Sequence, residues 1–212
     1  MCFSAPASFV AGSALLAVGA LTIKKAKRKE EIPLALVPLL FGIQQLIEGL
    51  VWLSFGFDIT WLNVSATLAY SLFAYIFWPV YIPFVVRSLE TVRWRKKILS
   101  LFQFIGITLG VYLLYFHLQE PVTSQVIHKS IVYSSSHFYP FWAIVFYVTA
   151  TCISAFFSSH KLISMLGVLG FILAIVSYQF YAVSFVSVWC FFAAVLSTLI
   201  YGYFKKTSAS FW

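Results

Sequence analysis

Long apolar runs separated by short polar connections are the dominant pattern along this chain. Runs of about 20 apolar residues are typical of helices that cross a bilayer. None of the runs alternates apolar and polar residues as a membrane-spanning strand does. Seven runs are predicted, over residues 5–23, 32–56, 62–86, 98–118, 138–158, 162–180 and 184–204. The pattern therefore predicts an all-α integral membrane bundle of seven transmembrane helices, forming a single domain over residues 1–212.

The basic residues give this bundle an orientation. Every Lys and Arg except Lys129 lies in the connection after the first, third or fifth run, or after the seventh. Cytoplasmic loops carry an excess of Lys and Arg, which predicts an external N-terminus and a cytoplasmic C-terminus. Five basic residues follow the first run and none precedes it. A signal peptide has the opposite arrangement, so we interpret this run as an uncleaved helix.

Composition supports the same class of protein. The chain is 62% hydrophobic and only 9% charged, whereas soluble domains have about 25% charged residues. The net charge of +8 follows from the basic connections, so we expect membrane lipid and not nucleic acid as a partner. The last run contains no lysine that could hold retinal. The three cysteines form no C-x-x-C pair, so a zinc ribbon or thioredoxin-type motif is not indicated.

Glu48 is the only ionisable residue of the second run. A carboxylate at the centre of a membrane helix costs about 2.5–3.5 kcal/mol on insertion scales, and such residues are usually functional. Gln44, Gln45 and Trp52 lie three or four residues away, so one helix face presents all four side chains. We predict Glu48 as a catalytic or ligand-binding carboxyl and Gln44, Gln45, Trp52 and Trp189 as cofactor- or ligand-binding residues. The alternative is a structural hydrogen-bonded knot.

The predicted topology places most metal-binding residue types on the external side. Thiolate, imidazole and carboxylate ligands together suit zinc, copper or iron. Cys2, Glu48 and His128 are the first-choice ligands, with His137 and His117 as alternates. Glu48 would then be the general base for a metal-bound water, or the site would store or sense the metal.

Two other functions remain open. In a small-solute or ion transporter, coupled to protons or a metal, Glu48 would be the coupling carboxyl. A non-catalytic membrane scaffold or lipid-binding partner would fit the high aromatic content of 20%. Gly106 and Gly110 form a G-x-x-x-G face, which favours either homo-oligomerisation or close packing within the bundle.

Four segments carry a resemblance to a known family. They are MCFSAPASFVAG at the N-terminus, PLLFGIQQLIEGLVW in the second run, FWPVYIPF in the third and SVWCFFAAVLS in the seventh. The chain resembles a family of uncharacterised bacterial membrane proteins that begin MCFSA or MCWSA. The resemblance implies this helical fold and a bacterial inner-membrane location. A related branch has His at the position of Gln44, which implies a metal or proton site beside Glu48.

Overall fold

The computed structural model describes residues 4–127, 130–135, 137–138 and 140–209. It is 83% helical. The helices are α1 (Ala5–Ile23), α2 (Ile32–Gly56), α3 (Thr60–Ser71), α4 (Trp78–Leu89), α5 (Arg93–Gln119), α6 (Phe141–Val148), α7 (Ser154–Phe156), α8 (Lys161–Tyr181) and α9 (Phe185–Ala209). A π-helical segment, Leu72–Phe77, joins α3 to α4, and a second one, Thr149–Ile153, joins α6 to α7.

Among the described residues, five helical stretches are long and apolar enough to cross a membrane. They are Ala5–Ile23, Lys29–Gly56, Thr60–Leu89, Arg93–Gln119 and Lys161–Lys205, while Phe141–Phe156 is apolar but shorter. The last of the five contains both α8 and α9, which a short 3-10 segment, Ala182–Ser184, separates. A helical protein with several long apolar helices is thus confirmed, with five candidate spans among the described residues where seven are predicted.

The connection after α5 contains a β-hairpin that the all-α prediction omits. Strand β1 (Thr123–Ile127) pairs antiparallel with β2 (Ser130–Ser134). The first four residues of β2 are buried, because the hairpin packs against α3 and α9. Tyr133 of β2 stacks on Tyr70 of α3 at 4.2 Å between ring centroids, and its carbonyl accepts a hydrogen bond from the Tyr75 hydroxyl at 3.1 Å.

The opposite end of the bundle is held together by the connections that carry most of the basic residues. Lys25, after α1, lies over the ring of Tyr201 in α9. Glu90, after α4, accepts hydrogen bonds from the Ser159 amide at 2.8 Å and hydroxyl at 3.0 Å. Four separate parts of the chain therefore meet at one end, in agreement with the clustering that the charge pattern predicts.

The π-helical segment before α4 leaves a backbone carbonyl that a distant side chain satisfies. In π-helical pairing the Ala74 carbonyl would accept from residue 79, but Pro79 has no N–H to donate. The hydroxyl of Tyr147 in α6 donates to this carbonyl instead. Both Ala74 and Tyr147 are buried, so this bond fixes α6 against the continuous helical stretch Thr60–Leu89.

The helix faces that carry glycines pack against neighbouring helices of the same chain. A Cβ added at Gly106 of α5 would overlap the Pro79 carbonyl oxygen, and one at Gly110 would lie 2.9 Å from Val80. A Cβ at Gly12 of α1 would lie 2.7 Å from Leu46 of α2. The G-x-x-x-G face of α5 therefore permits close approach of α4.

Candidate functional site

Glu48 lies at the convergence of α2 and α9, with its side chain fully buried. The Ser187 hydroxyl of α9 donates to Glu48 Oε1 at 2.7 Å. Gln45 Nε2, one turn before Glu48 on α2, donates to Oε2 at 3.4 Å. Each carboxyl oxygen thus accepts a hydrogen bond, which offsets part of the cost of burying it.

Gln44 extends this cluster to α4. The Trp78 indole N–H donates to Gln44 Oε1 at 2.6 Å, and because an indole can only donate, the amide nitrogen must point away from it. Gln44 Nε2 is buried without a hydrogen-bond partner among the described residues. Its amide lies beside the Cys190 thiol of α9, which also interacts with Tyr70 and Glu48. Sulfur is a weak acceptor, so this contact is a poor substitute for a hydrogen bond.

Two more polar atoms of the α2 face are left without partners. Gln45 Oε1 and Trp52 Nε1 are buried, and neither has a hydrogen-bond partner in the part of the chain that the structure describes. Together with Gln44 Nε2 they provide two donors and one acceptor on the stretch of α2 that carries Glu48. We call Gln44, Gln45, Glu48, Trp52 and Ser187 the Glu48 cluster.

The histidines predicted as alternate ligands lie in other contacts. His117 of α5 is buried, and its Nε2 lies 3.0 Å from the Ser71 hydroxyl of α3. His137 pairs with Glu120 at 3.4 Å and stacks on Phe116. No group of three His, Cys, Asp or Glu side chains that could hold a metal occurs among the described residues. The structure therefore does not gather His117 and His137 with Glu48 into such a group.

The first-choice metal ligands cannot be placed in the same way. Cys2 and His128 lie outside the described residues, so their ligation of a metal with Glu48 stays a prediction. Trp189, predicted as a ligand-binding residue, donates its indole N–H to the Gly170 carbonyl of α8 at 3.0 Å. Its ring packs against Tyr147.

A second polar network lies where the hairpin meets α3. Thr67 donates to the Ser124 hydroxyl at 2.7 Å, and Ser124 donates to Asn63 Oδ1 at 3.2 Å. Asn63 Nδ2 continues to the Ser54 hydroxyl of α2 at 3.0 Å. Each hydroxyl of this network, on Ser54, Thr67 and Ser124, has a partner. The network therefore fixes the hairpin in place and leaves none of these hydroxyls for a ligand.

Ser187, Trp78 and Cys190 are members or neighbours of the cluster that the spacing around Glu48 does not identify. Ser187 is 139 residues from Glu48 in the sequence, so no local pattern joins them. The sequence offered one indication, the depth of each residue in the membrane. Ser187 lies near the start of the seventh apolar run, toward the external side, where the predicted orientation also places Glu48.

The long apolar helices and the buried polar cluster are those of a helical integral membrane protein. The chain belongs to the protein family described as a family of unknown function (DUF6629), whose model matches residues 1–212. Neither the comparison with curated proteins nor the comparison with solved structures found a match.

Proposed function

We propose that this protein is a multi-spanning membrane protein that binds a small hydrogen-bonding ligand at the Glu48 cluster. The observation that carries the proposal is the set of three buried polar atoms, on Gln44, Gln45 and Trp52, without partners among the described residues. Leaving a buried donor or acceptor unpaired costs about 1–3 kcal/mol. A ligand that supplies the complementary groups recovers this cost on binding.

The neighbouring surface favours binding over passage through the membrane. From Gln44 toward the N-terminal end of α2, the same helix face continues with Phe41, Val37 and Leu34, which are apolar and buried. A transporter needs polar groups along the whole path of its solute, and this face offers none over about 15 Å between Gln44 and Leu34 at the rise of an α-helix. The Glu48 cluster thus has no line of polar side chains along α2 toward the basic end of the bundle.

Metal binding is the second form of the proposal. It requires Cys2 and His128 beside Glu48, and it would use the carboxyl oxygens instead of the amides. The two forms differ in what Gln44 contributes, because an amide nitrogen donor binds an organic acceptor but does not ligate a metal.

One preparation distinguishes these forms. Wild-type protein expressed with supplemented metals is purified in mild detergent, analysed for metals, and extracted for organic molecules by mass spectrometry. Variants Glu48→Gln, Gln44→Leu and His128→Ala are compared, with the exposed Glu30→Gln as the matched control. Circular dichroism and size-exclusion profiles confirm that each variant is folded.

An organic ligand is expected at near-stoichiometric amount in wild type and in Glu30→Gln. It should be about tenfold less in Glu48→Gln and Gln44→Leu, because a buried polar group left without its partner costs about 1–3 kcal/mol. A metal would instead be lost in Glu48→Gln and His128→Ala and kept in Gln44→Leu. Wild-type protein that holds neither would contradict the proposal and leave bound water as the partner of these atoms.

We also propose seven membrane spans in a bacterial inner membrane, with an external N-terminus and a cytoplasmic C-terminus. The support is the meeting of the basic connections at one end and the division of Lys161–Lys205 into α8 and α9. Single cysteines in place of Thr91 and Ser135, in a background without the native cysteines, test this orientation. A membrane-impermeant maleimide should label Ser135→Cys in intact spheroplasts and Thr91→Cys only after lysis. The opposite pattern would contradict the orientation.

A further inference from the structure

An apolar cavity of about 140 Å³ lies between α2, α4, α8 and α9. Its wall includes Leu34, Val37, Val85, Ile163, Leu166 and Ile200. A cavity of about this size with an apolar lining stays dry and binds a benzene-sized apolar group. The interior of this cavity therefore suits part of a hydrocarbon chain.

The polar groups in the cavity wall are already paired. The Tyr147 hydroxyl donates to the Ala74 carbonyl, the Trp189 indole to the Gly170 carbonyl and the Ser197 hydroxyl to the Ala194 carbonyl. These groups do not require a partner from a ligand, so the wall offers hydrocarbon contacts to whatever enters.

The cavity lies next to the Glu48 cluster along two helices. On α2 the lining residues Leu34, Val37 and Phe41 recur every three or four residues, and the same spacing leads to Gln44 and Glu48. A helix face repeats with this period, so the cavity wall and the cluster share one face of α2.

Helix α9 repeats this arrangement. Ser187 binds Glu48, and Cys190, Ala193, Ser197 and Ile200 follow at three- or four-residue intervals in the cavity wall. Across the gap, Trp78 belongs to both regions, because it lines the cavity and donates to Gln44. Two helix faces and one side chain thus join the polar cluster to the apolar cavity.

The atoms without partners define the head group that this site would recognise. Gln44 Nε2 is a donor whose amide oxygen binds the cavity-lining Trp78, and Gln45 Oε1 on the next residue is an acceptor. A hydroxyl group can accept a hydrogen bond from the first and donate one to the second. An anionic carboxylate head has no donor for Gln45 Oε1, so it would pair with fewer of these atoms.

We propose that the ligand of the Glu48 cluster is an uncharged amphiphile of the long-chain alcohol class. Its hydroxyl binds the cluster, and the adjoining part of its hydrocarbon tail fills the cavity. This inference rests on the proposed function and adds the chemical class of the ligand. Leu166 of α8 and Leu196 of α9 are half-buried lining residues, and the seam between these helices is the route by which the tail reaches the bilayer.

The test uses tritiated 1-hexadecanol and the full-length protein in detergent micelles. Ala193→Leu fills the cavity without touching the polar atoms, and Leu166→Phe is a second filling variant in case the first does not fold. Thr198→Leu, on the exposed side of the same helix, is the matched control. Gln44→Leu removes the unpaired donor of the head-group site.

Saturable binding is expected in wild type and in Thr198→Leu, with affinity at least about tenfold lower in Ala193→Leu, Leu166→Phe and Gln44→Leu. Unlabelled 1-hexadecanol should compete, whereas hexadecane and palmitate at neutral pH should compete at least about tenfold less well. Binding that is not saturable, or that both filling variants leave unchanged, would overturn the inference.

The same variants separate this inference from the function on which it rests. If Ala193→Leu keeps the organic molecule or metal that Glu48→Gln loses, the Glu48 cluster is a binding site and its ligand has no tail in the cavity. If wild-type protein carries no ligand and binds no 1-hexadecanol, both proposals are wrong.

Discussion

Glu90 gives the sharpest prediction about stability, because its carboxylate joins two connections at the basic end of the bundle. Oε1 accepts from the amides of Thr91 at 3.0 Å and Val92 at 2.9 Å, and from the Ser159 hydroxyl at 3.0 Å. Oε2 accepts from the Ser159 amide at 2.8 Å. Glu90→Gln keeps the shape of the side chain but replaces one acceptor oxygen with a donor.

The expected loss of stability follows from these bonds. A hydrogen bond to a charged group contributes about 1.5–3 kcal/mol, and a glutamine retains some of the four as neutral bonds. We therefore expect Glu90→Gln to lower the free energy of unfolding by about 2–4 kcal/mol at pH 7. Unfolding by SDS titration in mixed micelles, followed by circular dichroism, measures this value. Glu30→Gln, an exposed acid of another connection at this end, should change it by less than about 0.5 kcal/mol.

The pH dependence of the stability difference between wild type and Glu90→Gln tests whether the charge of Glu90 is its cause. Burial alone would raise the pKa of the Glu90 carboxyl, but hydrogen bonds from Val92, Ser159 and Thr91 outweigh it and lower the pKa below the ordinary 4.5. A carboxyl with a lowered folded-state pKa contributes stability above its unfolded-state pKa and loses it as the pH falls through the folded-state pKa. The difference between wild type and Glu90→Gln should be full above pH 4.5 and shrink below it. An equal difference at pH 7 and at pH 3, or an equal effect of Glu30→Gln, would refute the reasoning.

Three further predictions concern packing. Tyr147→Phe should lower the free energy of unfolding by about 1–3 kcal/mol, because the Ala74 carbonyl loses its donor. The control is Tyr115→Phe at an exposed tyrosine. Equal effects of the two variants would contradict a stabilising role for the Tyr147 hydrogen bond. Gly106→Ala should destabilise by about 1–3 kcal/mol through contact with the Pro79 carbonyl, whereas Gly202→Ala, which meets nothing within 4 Å, should not; the SDS titration compares the two. Thr67→Val should break the bond to Ser124 and speed hydrogen exchange in β1, and unchanged exchange would show that the hairpin is held by other contacts.

The sequence predicted helix positions well where apolar runs end abruptly. The predicted runs 5–23 and 32–56 coincide with α1 and α2. By contrast, α5 begins at Arg93, five residues before the predicted run 98–118, because its charged first turn continues the helix beyond the apolar segment. Hydropathy marks the part of a helix that suits a bilayer, whereas hydrogen bonding decides where the helix begins and ends.

The hairpin was missed for a related reason. Strand β2, SIVYS, is rich in β-branched and aromatic residues, which favour strands. A strand with one buried face alternates apolar and polar residues, but four consecutive residues of β2 are buried. A short run buried on both faces cannot be distinguished from a helical segment by its periodicity.

In the candidate site, contacts within one helix could be predicted from the sequence, whereas contacts between helices could not. The proximity of Gln44, Gln45 and Trp52 to Glu48 follows from helix geometry and was predicted. The Ser187 and Trp78 contacts join residues far apart in the chain, and no spacing rule connects them. His117 lies beside Ser71 and His137 beside Glu120, since a shared depth in the membrane does not specify which helix faces meet.

The arrangement around Glu48 is more consistent with a binding site than with a structural knot. A knot that stabilises a membrane bundle should use its polar atoms in pairs, since each unpaired buried group costs about 1–3 kcal/mol. The network from Thr67 to Ser54 meets this condition, with every hydroxyl paired. The Glu48 cluster satisfies its carboxyl but leaves Gln44 Nε2, Gln45 Oε1 and Trp52 Nε1 without described partners. Three such atoms cost about 3–9 kcal/mol, comparable to the entire stability of many folded domains. A ligand that pairs with them returns this free energy on binding, which a structural role for the cluster does not explain.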